Sequence, residues 1–158
     1  MGYMSILYGA AVIMQKILSR SEYDFFTTAS TRWRDSDTLG HINHTIYLSI
    51  LETAHKDFLI HMYGEEKLPL DFDSTSAGLL ASMQVTYIEQ SHHPAKFDVG
   101  FRITRVGTKS YDVHEALFLK GEDTPVFQSI HTFVMFNFKE QKSIPVDDIV
   151  KENLQEIE

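Results

Sequence analysis

Residues Thr31 to His55 read TRWRDSDTLGHINHTIYLSILETAH. The first half is polar, with two carboxylates, Asp35 and Asp37, ahead of Gly40. The second half changes period. Ile46, Ile50, Ala54, Phe58 and Met62 recur every fourth residue, with Tyr47 and Leu51 alongside, which predicts an amphipathic helix of about five turns starting near Asn43. Gly64 is placed to end it. Upstream, Tyr23 to Arg34 is rich in aromatic and β-branched residues and stops at the cluster Asp35-Ser36-Asp37-Thr38, the pattern of a strand running into a loop.

Downstream the period is two. Leu79 to Ile88 carries Ser82, Gln84 and Thr86 at alternate positions, and Phe97, Val99, Phe101 and Ile103 alternate with polar residues or glycine. Gly107 to Ser110 predicts a hairpin turn into Tyr111 to Lys120, and Gly121 to Thr124 turns the chain again. Val126 to Phe138 is apolar on both alternating sets, which predicts a strand covered on both faces. The fold class is α+β: an antiparallel sheet curling around one long, buried helix. Such a layer leaves an edge strand and a sheet face uncovered, which predicts self-association.

The chain has 158 residues and reads as one domain. Residues 1–22 are an N-terminal extension, 23–142 the folded domain, and 143–158 a tail with a short helix. The extension has no basic residue ahead of its apolar stretch and is too short to span a membrane, so it is read as peripheral. The net charge of −8 repels polyanions, which argues against nucleic acid or an anionic membrane as partner. With no cysteine there is no disulfide, thiolate metal site or cysteine nucleophile, and a reducing, cytoplasmic setting is expected. The histidines at 41, 44, 92 and 93 show no zinc-ligand pattern, so no metal is expected.

Chemistry concentrates where the loop meets the helix. Peptide N–H groups at a helix start are unpaired and partly positive, so a carboxylate beside them sits next to a place suited to developing negative charge. Asp37 there is able to attack a carbonyl carbon or draw a proton from water, which suits acyl transfer. The plain structural alternative is that aspartate and asparagine before a helix serve as caps.

The motif R-W-x-D-x-D-x-x-G-H-I-N, followed by Tyr-Leu and Glu-x-Ala, resembles the hotdog-fold acyl-CoA thioesterases of the 4-hydroxybenzoyl-CoA thioesterase family. The resemblance is densest over Thr31 to Ala54. It implies a hotdog fold, and a homodimer joined edge to edge, or a dimer of dimers, with active sites at the dimer interface. The implied activity is hydrolysis of an acyl-CoA thioester without any cofactor beyond the coenzyme A of the substrate. It makes Asp37 the catalytic carboxylate, Asp35 a supporting one, and Gly40, His41, Asn43 and Tyr47 the substrate-binding turn. Glu52 matches the family's helix glutamate and is read as an ion pair with Lys56, four residues on. For the nucleotide end, the basic residues around the hairpin, Arg102, Arg105 and Lys109, are the expected contacts. An acyl-ACP thioesterase or a module that binds acyl thioesters without cleaving them are the alternatives.

Overall fold

The stripe becomes a single 20-residue helix, α1 (His44–Tyr63), whose Tyr47, Leu51, Ala54, Phe58 and Met62 are buried. Leu51, Phe58 and Met62 each contribute about 1.5–3 kcal/mol on burial. Ile46 and Ile50, expected to point inward, are only half-buried along its flank. Gly64 ends the helix at φ +80°, its N–H donating to the Ile60 carbonyl at 2.8 Å. Glu52 and Lys56 both face solvent and are not paired with each other, which corrects the expected ion pair. The computed structural model describes residues 16–67 and 75–155; the expected extension therefore lies partly outside the described residues.

Five long strands and one short one form the sheet: β1 (Phe25–Ser30), β2 (Ser76–Tyr87), β3 (Lys96–Val106), β4 (Ser110–Leu119), β5 (Phe127–Asn137) and β6 (Lys142–Ser143). All pairings are antiparallel in the order β1-β3-β4-β5-β2, with β6 also on β5. The Gly107 N–H closes the β3–β4 hairpin on the Ser110 carbonyl at 2.7 Å. A short helix, α2 (Asp148–Glu152), docks through Val146 and Val150.

One sheet face meets α1. Phe97, Val99, Phe101 and Ile103 of β3, Val113 and Leu117 of β4, and Phe127, Phe133 and Met135 of β5 are buried there with the helix stripe. The opposite face carries a smaller cluster in which Leu18, ahead of β1, is fully buried with Tyr23, Ala116 and Phe118. The described end of the N-terminal extension is thus packed against the sheet. β5 has the expected two-sided cover over Phe127 to Ser129, all buried; beyond them His131, Phe133 and Met135 are buried, whereas Ile130, Thr132, Val134 and Phe136 are half-buried. Among the described residues β2 is an edge strand, and it exposes Leu79, Leu80, Met83, Val85 and Tyr87.

The core contains a polar cluster that hydrophobic periodicity does not reveal. Glu115 of β4 is fully buried on the helix side, with His55 Nδ1 of α1 at 3.2 Å from Oε1 and His131 Nδ1 of β5 at 3.1 Å from Oε2. Burial opposes its ionisation. The two imidazole contacts outweigh that and hold the carboxyl below the usual glutamate range.

Candidate active site

β1 delivers the chain to the site through Thr31, whose N–H donates to the Ala95 carbonyl at 3.0 Å and whose Oγ1 accepts the Ala95 N–H at 2.9 Å. A single 3-10 turn follows, Trp33–Asp35, anchored by the buried Asp35. The Asp35 carboxylate accepts the Arg32 main-chain N–H at 2.6 Å and the Arg32 guanidinium at 3.0 Å. Burial works against its ionised form, but the Arg32 hydrogen bonds and charge prevail and keep it below the ordinary carboxylate range. The Asp35 carbonyl accepts the Asn43 N–H at 2.9 Å, and Ile42 donates to Ser91 at 2.8 Å. The loop is therefore closed at its base and tied to the segment before β3.

Asp37 sits at the tip of this closed loop. Its N–H donates to the His41 carbonyl at 2.8 Å, while its Oδ1 accepts the N–H groups of Leu39 at 2.8 Å and His41 at 3.1 Å. Oδ2 has no hydrogen-bond donor among the described residues. Gly40 lies inside this turn at φ +81°, where a side chain would strain the backbone. The turn-organising hydrogen bonds use Oδ1 alone, which leaves the other carboxylate oxygen outside the turn.

Beside Asp37 opens a cleft of about 220 Å³, lined among others by His41, His44, Tyr47, Tyr87 and Ser91. Tyr47 is 3% exposed, and burial pushes its phenol above the ordinary tyrosine value. Its ring stacks on Phe127 at 5.3 Å, and Tyr87 stands edge-on to both, at 5.8 Å from Tyr47 and 5.0 Å from Phe127. The Tyr87 hydroxyl donates to the His44 carbonyl at 3.0 Å, joining the end of β2 to the first residue of α1.

Asn43 is the N-cap of α1: its Oδ1 accepts the Thr45 N–H at 3.0 Å and the Thr45 hydroxyl at 2.8 Å. Leu39, Gly40 and His41 donate to Asp37, Ile42 to Ser91, Asn43 to Asp35, and Thr45 and Ile46 to Asn43. In the stretch from Leu39 to Ile46 only the His44 N–H has no acceptor among the described residues, and His44 lines the cleft.

Of the residues expected from the sequence, Asp37, His41 and Tyr47 line the cleft, while Gly40 and Asn43 shape its wall from behind. Arg102, Arg105 and Lys109 are not brought to it. Arg102 donates to the carbonyls of Gln155 and Glu22, Arg105 pairs with Asp112, and Lys109 reaches Ser143. Arg105 lies nine residues along β3 from Lys96, on the order of 30 Å at about 3.3 Å per residue. Tyr87 and Ser91 were missed as cleft residues because they come from distant segments. The one local signal was the aromatic end of an otherwise alternating strand.

Among the described residues no group of three or more His, Asp and Glu side chains is arranged to hold a metal ion, and no helix is long and apolar enough to cross a membrane. No curated protein matches the chain. The family model of the thioesterase-like superfamily matches residues 31–154. Among solved structures, the PA5185 protein of Pseudomonas aeruginosa strain PAO1 is 27% identical with a TM-score of 0.75, covering 87% of this chain and 94% of that one. A thioesterase-superfamily protein of Jannaschia sp. CCS1 is 19% identical with a TM-score of 0.72, over 84% of this chain and 81% of that one. The BH1999 gentisyl-coenzyme A thioesterase shares the fold at 14% identity and a TM-score of 0.69, covering 83% and 100%. A family match over most of the chain and this curled sheet around one helix agree: the chain belongs to the thioesterase-like superfamily and has the hotdog fold.

Proposed function

We propose that the protein hydrolyses an acyl-CoA thioester, with Asp37 as the reacting carboxylate. The observation that carries this reading is the division of labour within Asp37: Oδ1 is pinned by two peptide N–H groups, while Oδ2 is left for chemistry beside the cleft. As general base, Oδ2 takes a proton from water as the water oxygen adds to the thioester carbonyl carbon. The oxyanion so formed accepts the His44 N–H at the positive end of α1. Its collapse breaks the carbon–sulfur bond and releases a thiolate, which receives the proton. A thiol of pKa about 8.5 leaves without a strong general acid, so one carboxylate is enough. Acting instead as nucleophile, Asp37 would form an acyl anhydride that water then opens.

The exposed apolar side chains of β2 support a homodimer or a dimer of dimers, since they suit a second copy. Arg102, Arg105 and Lys109 serve the nucleotide end only if a second copy brings its hairpin to this cleft. Within one chain, Lys96, paired with Ser30 at the start of β3, is a basic residue at the cleft's end of the sheet.

The test is release of free thiol from a panel of acyl-CoAs of graded length, together with an acyl-ACP, by wild type and Asp37→Asn. Thiol release that falls about 10²–10⁴-fold in the variant is expected. Binding without release would establish a carrier module instead, and release that survives in Asp37→Asn would remove Asp37 from the mechanism.

A further inference from the structure

Trp33, the only tryptophan of the chain, is 86% exposed at the start of the 3-10 turn that leads to Asp37. A single exposed apolar side chain needs no explanation. What distinguishes Trp33 is its company. His93 stands perpendicular to the indole with ring centres 6.0 Å apart, and is itself held by its Nδ1, 2.9 Å from Thr31 Oγ1. Next to it along the chain, His92 has its Nδ1 3.0 Å from the Gly40 carbonyl and its ring 4.9 Å from that of His41, which lines the Asp37 cleft. A path of ring contacts and one chain step thus runs from the cleft wall to Trp33. Trp33 precedes Asp37 by four residues, which sets their main chains at most about 14 Å apart.

The charges flanking Trp33 are unequal. Arg32 is taken up by the buried Asp35. Arg34 and Lys96 are exposed, and neither has a carboxylate partner among the described residues. Lys96 comes three residues after His93 and opposes Ser30 at the end of β1. In a chain of net charge −8, an anionic ligand needs such a local pair of free cations. Arg102, Arg105 and Lys109 are engaged elsewhere. Trp33 also follows β1, the edge opposite β2, so its open ring is not part of the apolar surface of β2 that suits a second copy.

We propose that Trp33, Arg34 and Lys96 hold the adenosine phosphate end of a coenzyme A thioester, with the indole stacking on adenine and the two cations facing phosphate groups. An open aromatic face beside unpaired cations is the combination that binds a base and its phosphates. An acidic protein surface would use the cations and leave the indole idle. The inference rests on the thioesterase reading above: a pantetheine arm laid along His93 and His92 then delivers the thioester to Asp37.

Because Trp33 is the only tryptophan, its fluorescence reports the contact without any turnover. Coenzyme A and adenosine bisphosphate are expected to quench it, more weakly as salt is raised, and pantetheine is not. Arg34→Gln and Lys96→Gln should each raise the Kd of coenzyme A about two- to fivefold. In turnover, Trp33→Ala should raise KM for an acyl-CoA about fivefold or more, Trp33→Phe should keep most of the affinity, and both should leave kcat/KM for the same acyl group on pantetheine unchanged. Absence of quenching by millimolar coenzyme A would overturn the proposal. So would an equal loss on acyl-CoA and acyl-pantetheine, or a changed oligomeric state of Trp33→Ala, either of which makes Trp33 structural. A loss confined to acyl-ACP would replace the nucleotide site with a carrier-protein surface. All of these leave the thioesterase reading intact so long as thiol release depends on Asp37; absence of release from every thioester strikes that reading, while the fluorescence still decides the nucleotide site.

Discussion

Asp37 and His41 are joined twice: the Asp37 N–H donates to the His41 carbonyl at 2.8 Å, and the Asp37 carboxylate accepts the His41 N–H at 3.1 Å. A side chain placed for chemistry thus also holds its own loop. Asp37→Asn keeps an Oδ1 acceptor for both loop N–H groups and is expected to melt within about 1 °C of wild type. Asp37→Ala loses both and should be less stable by about 1–2 kcal/mol, a fall in Tm of several degrees. Calorimetry on the two variants, beside their equally reduced turnover, separates the roles. Equal melting of the two would mean that the Oδ1 bonds contribute nothing.

Asn43 was expected to contact substrate, and its side chain caps α1. Asn43→Ala should cost about 1 kcal/mol of stability, whereas Asn43→Ser, another good cap, should restore most of it. Urea unfolding measures this. If Asn43→Ser recovers stability but not kcat/KM, a substrate contact exists beyond the cap.

Glu115 between His55 and His131 is a buried carboxylate whose removal takes away the hydrogen-bond partner of His55 and the charged neighbour of His131. Glu115→Ala is expected to lose about 3–5 kcal/mol. Because the folded-state pKa is lowered, the ionised carboxylate's contribution is complete above the ordinary glutamate pKa of about 4.3 and disappears as the pH falls through the lower folded value. Stability of wild type and Glu115→Gln should therefore differ most near neutrality and converge in acid. Parallel curves down to pH 2 would contradict this.

His114 faces the other side of the sheet, its Nδ1 2.9 Å from the Tyr23 hydroxyl, and burial lowers its pKa from 6.5 to about 4. An unfolded histidine takes up a proton between pH 6.5 and 4 that the folded one refuses. Stability is thus lost as the pH falls through this window, by about 3 kcal/mol at most. His114→Gln has nothing to titrate there and still offers Tyr23 an acceptor. Its thermal stability should vary less between pH 7 and 4 than that of wild type; identical slopes would remove His114 from the account.

The α1 stripe, its glycine stop and the alternating strands were legible because each is a periodicity of 3.6 or 2 carried by side-chain polarity along neighbouring residues. The loop with Asp37 was legible for a related reason: it is one gapless stretch in which the partners of the Asp37 carboxylate, Leu39 and His41, lie within four residues. The helix centre was misjudged by one position, since Ile46 and Tyr47 are both apolar and only the sheet's placement chooses which is buried.

By itself, then, the sequence determined the order of elements, the α+β class, the cap at Asn43 and the position of Asp37 before a helix start. Tertiary structure alone decided that Tyr87 of β2 and Ser91 line the cleft, that Arg102, Arg105 and Lys109 are held by other partners away from it, and that Glu115 is held between His55 and His131. The physical reason is range. Local pattern records what a residue prefers as a neighbour along the chain, whereas these contacts join residues tens of positions apart, brought together by strand register and sheet curvature that no single segment encodes.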